Sequence, residues 1–98
     1  MDKTNKLNSI EVFLKVAKAK SFSEAADQLG LSKAMVSKHV TNLENSLGVR
    51  LLNRTTRQIS LTEAGSAYRV RIREIMNDMT ETELAISQLS SEPRGTLR

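Results

Sequence analysis

The stretch SEAADQLGLSKAMVSKHVTNLENSLG, residues 23–48, decides the fold. Two runs of helical character meet in it at Gly30-Leu31-Ser32. In the first run, Ala25, Ala26 and Leu29 form a small-residue face that lets another helix approach closely. Ser23 has N-cap chemistry, and Glu24 and Asp27 lie near the positive end of the helix dipole. Gly30 stands where a left-handed C-cap residue belongs. In the second run Ser32 is the cap at the start and Gly48 the cap at the end. Val36, Val40, Leu43 and Leu47 recur at i, i+4, i+7 and i+11, which makes one buried stripe. At about 100° per residue the opposite arc carries Ala34, Ser37, Lys38, Thr41, Asn42 and Asn45. That arc holds small side chains, hydrogen-bonding side chains and one cation, with no acid and no large apolar residue.

The flanking sequence supplies the rest of a domain. Upstream, a helix is expected from about Leu7 to Ala19, capped by Asn8 or Ser9. It buries Ile10, Phe13, Leu14 and Ala17. Residues 19–22 form a turn, with Phe22 directed into the core. Downstream, Leu52 to Arg54 and Ile59 to Leu61 flank a polar tip at Thr55–Gln58, the pattern of a short two-stranded ribbon. Strands this short need the helices for support. Thr62-Glu63 opens a fourth helix that runs unbroken to about Ser90, since the single Pro is Pro93. Gly65 in its first turn signals close packing. Tyr68, Ile72, Ile75, Met79, Thr82, Ile86 and Leu89 follow one another at alternating spacings of four and three, a heptad seam in which Thr82 is the polar position. The fold class expected is mainly α: three helices and a two-stranded β-wing, followed by a long linker helix. Residues 1–62 form the head, 63–91 the linker and dimerisation helix, and 92–98, with Glu92-Pro93-Arg94-Gly95, a hinge.

Composition removes whole classes of function. The chain of 98 residues has no Cys and one His, so disulfides, thiolate zinc sites, Cys nucleophiles and multi-His metal sites are excluded. No apolar run approaches the ~18 residues of a membrane span, and the start, MDKTNKLNSI, has no signal-peptide block. A cytoplasmic protein is expected. No nucleophile–base pair and no glycine-rich phosphate loop is present, so an enzyme is not expected. The net charge of +4 is placed unevenly: residues 1–62 hold ten Lys/Arg against five Asp/Glu, and residues 63–98 hold five against six. A basic head of this kind suits a polyanion.

Two helices joined by a tight turn, the second with a small and polar outer face, is the helix-turn-helix pattern. Such a helix must fit a major groove about 12 Å wide, which favours the small and hydrogen-bonding side chains of Ala34, Ser37, Lys38 and Thr41, with Ser32 and Lys33 at its start. Free N–H groups at the start of that helix favour a phosphate. Arg54 and Arg57 bracket the wing tip, where phosphates or a narrow minor groove attract Arg. The heptad seam requires a partner, and a second copy would hold two heads at a fixed spacing. His39, at the edge of the buried stripe, reads as a packing or phosphate residue. The rival reading is a protein-interaction module in which the long helix pairs with another protein and the basic head is incidental.

These residues together resemble the N-terminal winged helix-turn-helix domain of LysR-type bacterial transcriptional regulators. The resemblance starts at Leu7-Asn8-Ser9-Ile10-Glu11-Val12-Phe13 and continues through Ser21-Phe22-Ser23-Glu24-Ala25-Ala26, Leu29-Gly30-Leu31-Ser32, Val36-Ser37 and Leu43-Glu44. It then runs through Leu47 to Arg54, Thr55-Thr56-Arg57 and Leu61-Thr62-Glu63-Ala64-Gly65. It implies sequence-specific binding of double-stranded DNA by a dimer, on a dyad site with T- and A-containing halves. The linker helices of such dimers pair, usually antiparallel. By the same resemblance Ser32, Lys33, Ala34, Ser37 and Lys38 fall where the family contacts bases and phosphates, and Arg54 and Arg57 fall where its wing meets the backbone and minor groove. Two departures stand out. Lys33-Ala34-Met35 replaces the frequent Gln-Pro-Ala, and Lys38-His39 replaces the frequent Arg-Gln, so Lys38 offers a point charge in place of a fork. Full-length members are similar to this chain followed by an effector-binding domain, whose first residues Gly95-Thr96-Leu97-Arg98 resemble. The expectation is therefore a DNA-binding fragment with no cofactor of its own, a small-molecule inducer belonging to the effector domain. A cytoplasmic, nucleoid-associated location follows. For the full-length protein a tetramer and RNA polymerase stand as further candidate assemblies.

Overall fold

The computed structural model describes residues 3–54 and 58–90. Six elements follow in order: α1 (Lys3–Ala19), α2 (Phe22–Leu29), α3 (Lys33–Leu47), β1 (Leu52–Arg54), β2 (Ile59–Leu61) and α4 (Glu63–Ser90). The chain divides into two compact units, one reaching to Tyr68 and one beginning at Arg69. The wing tip at Thr55, Thr56 and Arg57 and the segment from Ser91, with the expected hinge, lie outside the described residues.

Helix α1 begins four residues earlier than the apolar spacing indicates, so Asn8 and Ser9 are not its caps. Ser9 instead lies buried beside Ile10, Val12, Phe13, Val16 and Ala17, while Leu14 is only half-buried. Lys20, with φ 57°, takes the left-handed conformation that stops the helix, and its N–H donates to Val16 O at 2.7 Å. Helix α2 is capped by Ser21, not Ser23: its hydroxyl accepts from the Glu24 N–H at 3.0 Å. Ser21-Phe22-Ser23-Glu24 has the spacing of a capping box, which fixes the start one residue before Phe22. At the other end Gly30, with φ 69°, donates to Ala26 and Asp27 carbonyls and reverses the chain. Ser32 then caps α3 by accepting from the Met35 N–H at 3.1 Å, so only Leu31 separates the two caps.

The three helices pack on one another around Phe13, Val16, Ala25, Val36, Val40 and Leu43, all fully buried. Leu51 and Leu52 close that core from the wing side. Strands β1 and β2 pair antiparallel with Leu52 opposite Leu61, Asn53 opposite Ser60 and Arg54 opposite Ile59, and β2 lies against α1. Each strand has three residues, so the ribbon depends on this support. Phe22 is half-buried at the start of α2 and does not plug the core. Tyr68, expected at the head of the seam, packs its ring on Phe13 with centroids 5.8 Å apart, and burial pushes its phenol above the ordinary value.

Gly65 is set by contact. A Cβ there would collide with the Leu51 carbonyl, whereas a Cβ on Gly30 would meet nothing and suffer only the left-handed backbone. Gly30→Ala is expected to cost about 1 kcal/mol, and Gly65→Ala about 1–3 kcal/mol through backbone displacement. Urea unfolding followed by circular dichroism checks the order; equal losses would mean that the close approach is not constraining.

Candidate nucleic-acid interface

The outer face of α3 is the candidate interface, and its geometry begins with the cap. Ser32 leaves Lys33 and Ala34 at the first exposed turn. Lys38, Asn42 and Asn45 continue the exposed face, while Ser37 and Thr41 are half-buried along one side of it. Behind this face Val36, Val40 and Leu43 are anchored in the core. Leu47, the last member of the expected stripe, is only half-buried.

The buried position near the end of α3 is taken by Glu44, which is 4% exposed. Its Oε2 accepts from the backbone N–H groups of Leu51 and Leu52 at 2.8 and 3.1 Å. Its Oε1 accepts from Arg54 Nη2 at 3.1 Å, and Arg50 Nη1 lies 3.7 Å away. The helix wheel contained a signal for this. Glu44 falls about 40° from Val40 on the edge of the apolar stripe, and it is the sole acid between residues 32 and 57. A carboxylate in that position needs donors from outside its own helix.

Arg54 is therefore engaged before any ligand arrives. Besides Glu44 it reaches Thr41 Oγ1 with both terminal nitrogens at 3.4 Å, and its guanidinium carbon lies 5.3 Å from the Phe22 ring centroid. Its side chain is one-quarter exposed. The sequence placed Arg54 at the wing tip and Thr41 on the reading face as independent contacts. The structure joins them in one brace between α2, α3 and β1. Arg57, the other wing cation, lies outside the described residues. Arg50, not singled out from sequence, is the exposed cation beside this brace.

On the second unit, Ile75, Met79, Ile86 and Leu89 of the seam are exposed and Ile72 is half-buried. Thr82 donates its hydroxyl to the Asp78 carbonyl at 2.8 Å, which satisfies it within its own helix. Among the described residues no group of three His, Cys, Asp or Glu could hold a metal ion, and no helix is long and apolar enough to cross a membrane.

Residues 7–66 match the family described as bacterial regulatory helix-turn-helix protein, lysR family. The chain is 50% identical over 95 residues to an HTH-type transcriptional regulator of Xanthomonas campestris, covering 97% of this chain and 28% of that protein. It is 45% identical over 96 residues to the HTH-type transcriptional regulator CrgA of Neisseria meningitidis, covering 98% of this chain and 32% of that one. The chain thus spans about a third or less of the length of these curated relatives. Among solved structures it resembles the BenM DNA-binding domain in complex with catB site 1 DNA, with a TM-score of 0.82 and 26% identity over 87% of this chain and 96% of that one. It also resembles Vibrio fischeri DarR in complex with DNA, with a TM-score of 0.80 and 32% identity over 92% of this chain and 30% of that one.

Glu44→Ala strands a guanidinium and two backbone N–H groups, and is expected to cost about 3–5 kcal/mol. Glu44→Gln keeps one acceptor and should lose less, and Arg54→Ala, at a partly solvated site, about 1–3 kcal/mol. Denaturant midpoints measure all three; a Glu44→Ala loss under about 1 kcal/mol would remove Glu44 as the wing's anchor.

Proposed function

The chain belongs to the LysR family of bacterial regulatory helix-turn-helix proteins, and on that premise we propose that it binds double-stranded DNA sequence-specifically, as a dimer on a dyad site. The observation that carries this reading is the exposed face of α3: small, polar, free of acid and held rigidly from behind. Such a face fits a major groove. Ser32, Lys33, Ala34, Ser37 and Lys38 supply its contacts to bases and phosphates. Thr41 and Arg54 hold the wing against α3, and Arg57 is the wing's cation for flanking phosphate or minor groove. Residues 1–62 act as the reading head, residues 63–91 as the dimerising linker and residues 92–98 as a hinge.

The exposed seam supports pairing of α4 with a second copy. Its charges support an antiparallel pair. Arg69, Arg71 and Arg73 lie toward the start, and Asp78, Glu81 and Glu83 toward the end. Antiparallel helices set these clusters against each other, while parallel ones oppose like charges. The chain itself is proposed to need no cofactor and to catalyse nothing. Its work is cytoplasmic, at the nucleoid. An inducer, a tetramer and contact with RNA polymerase belong to the proposal for a full-length regulator.

Fluorescence anisotropy with two labelled duplexes, a T/A dyad and a scrambled sequence, tests the DNA reading across a salt series. Tighter binding to the dyad and a steep fall with salt are expected, because phosphate contacts release counterions. Ser37→Ala should alter the preference between the two. No binding to either duplex at low salt would leave the interaction-module reading in its place.

Pairing is tested separately. Met79→Glu places a charge in the seam and should give a monomer in sedimentation. The chain has no Cys, so Met76→Cys reports orientation. Near the middle of the charge pattern, it should cross-link two copies readily, while Leu89→Cys should not. The opposite pattern would mean a parallel pair.

A further inference from the structure

Two polar residues flank the buried stripe of α3. Glu44 is taken up by the wing; His39, on the other flank, meets α1. Ser9, 1% exposed, places its Oγ 2.9 Å from His39 Nδ1. A buried hydroxyl on an apolar helix face needs such a partner. The bond also fixes the ring: with Nδ1 held toward Ser9, Nε2 lies on the far side of the imidazole.

His39 is half-buried and lines a cleft of about 600 Å³ together with Asn5 and Ser9 of α1 and Lys38, Asn42 and Asn45 of α3. Among the described residues no carboxylate lines it, and Lys38 supplies a charged side chain. The cleft shares Lys38, Asn42 and Asn45 with the outer face of α3, so it opens beside that face. His39 is about 100° around the helix from Lys38. It therefore meets the wall of a groove whose floor the centre of the face meets, and that wall is sugar-phosphate backbone.

We propose that this cleft is a phosphate-binding point for the DNA backbone, with His39 Nε2–H the donor and Ser9 the residue that positions it. The proposal rests on the DNA-binding reading above and deepens it. With the Ser9 hydroxyl donating to Nδ1, the neutral ring carries its proton on Nε2. In the imidazolium Nδ1–H donates to Ser9 Oγ, and Nε2 keeps its proton. The cleft is offered an N–H in both states. In the second state the hydrogen bond is charge-assisted and stronger. A bound phosphate favours the charged ring, so phosphate binding here ties DNA affinity to pH.

The chain holds one His, so the imidazole of the tag-free protein gives a single set of NMR signals. In the neutral ring Nε2 should carry the proton. Adding the dyad duplex should shift the imidazole signals, and anisotropy should find binding tighter at pH 5.5 than at pH 8. His39→Gln, checked for folding by circular dichroism, should abolish that pH dependence. It should also weaken the dyad and scrambled duplexes equally at low pH and lower the salt slope by up to about one for each protomer bound. Ser9→Ala should lose affinity at neutral pH and keep the pH dependence. Imidazole signals unmoved by duplex, pH dependence that survives in His39→Gln, or a loss confined to one sequence overturns the proposal. So does an equal change in those signals with inorganic phosphate alone at matched ionic strength, which would make this a general anion site. Failure to bind either duplex overturns the DNA reading itself; salt-dependent binding with an unmoved imidazole overturns this inference alone.

Discussion

One carboxylate joins α3 to the wing. Glu44 takes the N–H groups of Leu51 and Leu52, while the carbonyls of Arg50 and Leu51 are taken from the other side by the hydroxyl and N–H of Thr62, at 2.7 and 3.0 Å. The same Thr62 hydroxyl accepts from the Gly65 N–H at 2.9 Å and so caps α4. A three-residue segment is thus satisfied on both edges by side chains and backbone from α3 and from the start of α4. The close approach of that segment to α4 is what excludes a side chain at Gly65. Burial of a lone carboxylate would be unfavourable. Two backbone donors and the Arg54 fork offset its desolvation, so the site holds only as a complete set.

The fold was legible where local chemistry acts alone. Gly30, Ser32 and Gly48 end and begin helices because their own backbone and side chains do so, and the structure has each in that role. The two strands and the extent of α4 follow from propensity and the absence of Pro. What escaped depends on partners distant in sequence. Ser9 looks like a cap because serine is a favoured N-cap residue; its partner is His39, thirty residues on. Tyr68 fits the spacing of the seam, yet Phe13 draws its ring into the head. Ser23 offers the same oxygen as Ser21, but the helix starts at Phe22 and the Ser21 hydroxyl accepts from the Glu24 N–H.

The candidate interface was legible in outline because a groove-fitting face is a statement about side-chain size and charge along one helix. Its support was not. Apolar periodicity treats Glu44 as a solvent residue, and charge counting treats Arg54 as a free cation; neither method sees that the two neutralise each other. Their pairing has an electrostatic consequence for the surface. The one acid of residues 32–57 is withdrawn from solvent and matched, so it contributes little repulsion toward a polyanion.

The two flanks of α3 therefore divide the labour of holding it. On the Glu44 side the carboxylate and both terminal nitrogens of Arg54 are engaged within the protein, which gives stiffness and leaves less for a ligand. On the His39 side the hydrogen bond uses one ring nitrogen and leaves the other, and the described side chains that line the cleft include three amides and a lysine and no acid. A helix that must be both firmly seated and able to grip an anion needs this asymmetry. Stiffness comes from saturating one edge, and binding capacity comes from a residue on the other edge that is oriented by a bond it can keep in either protonation state.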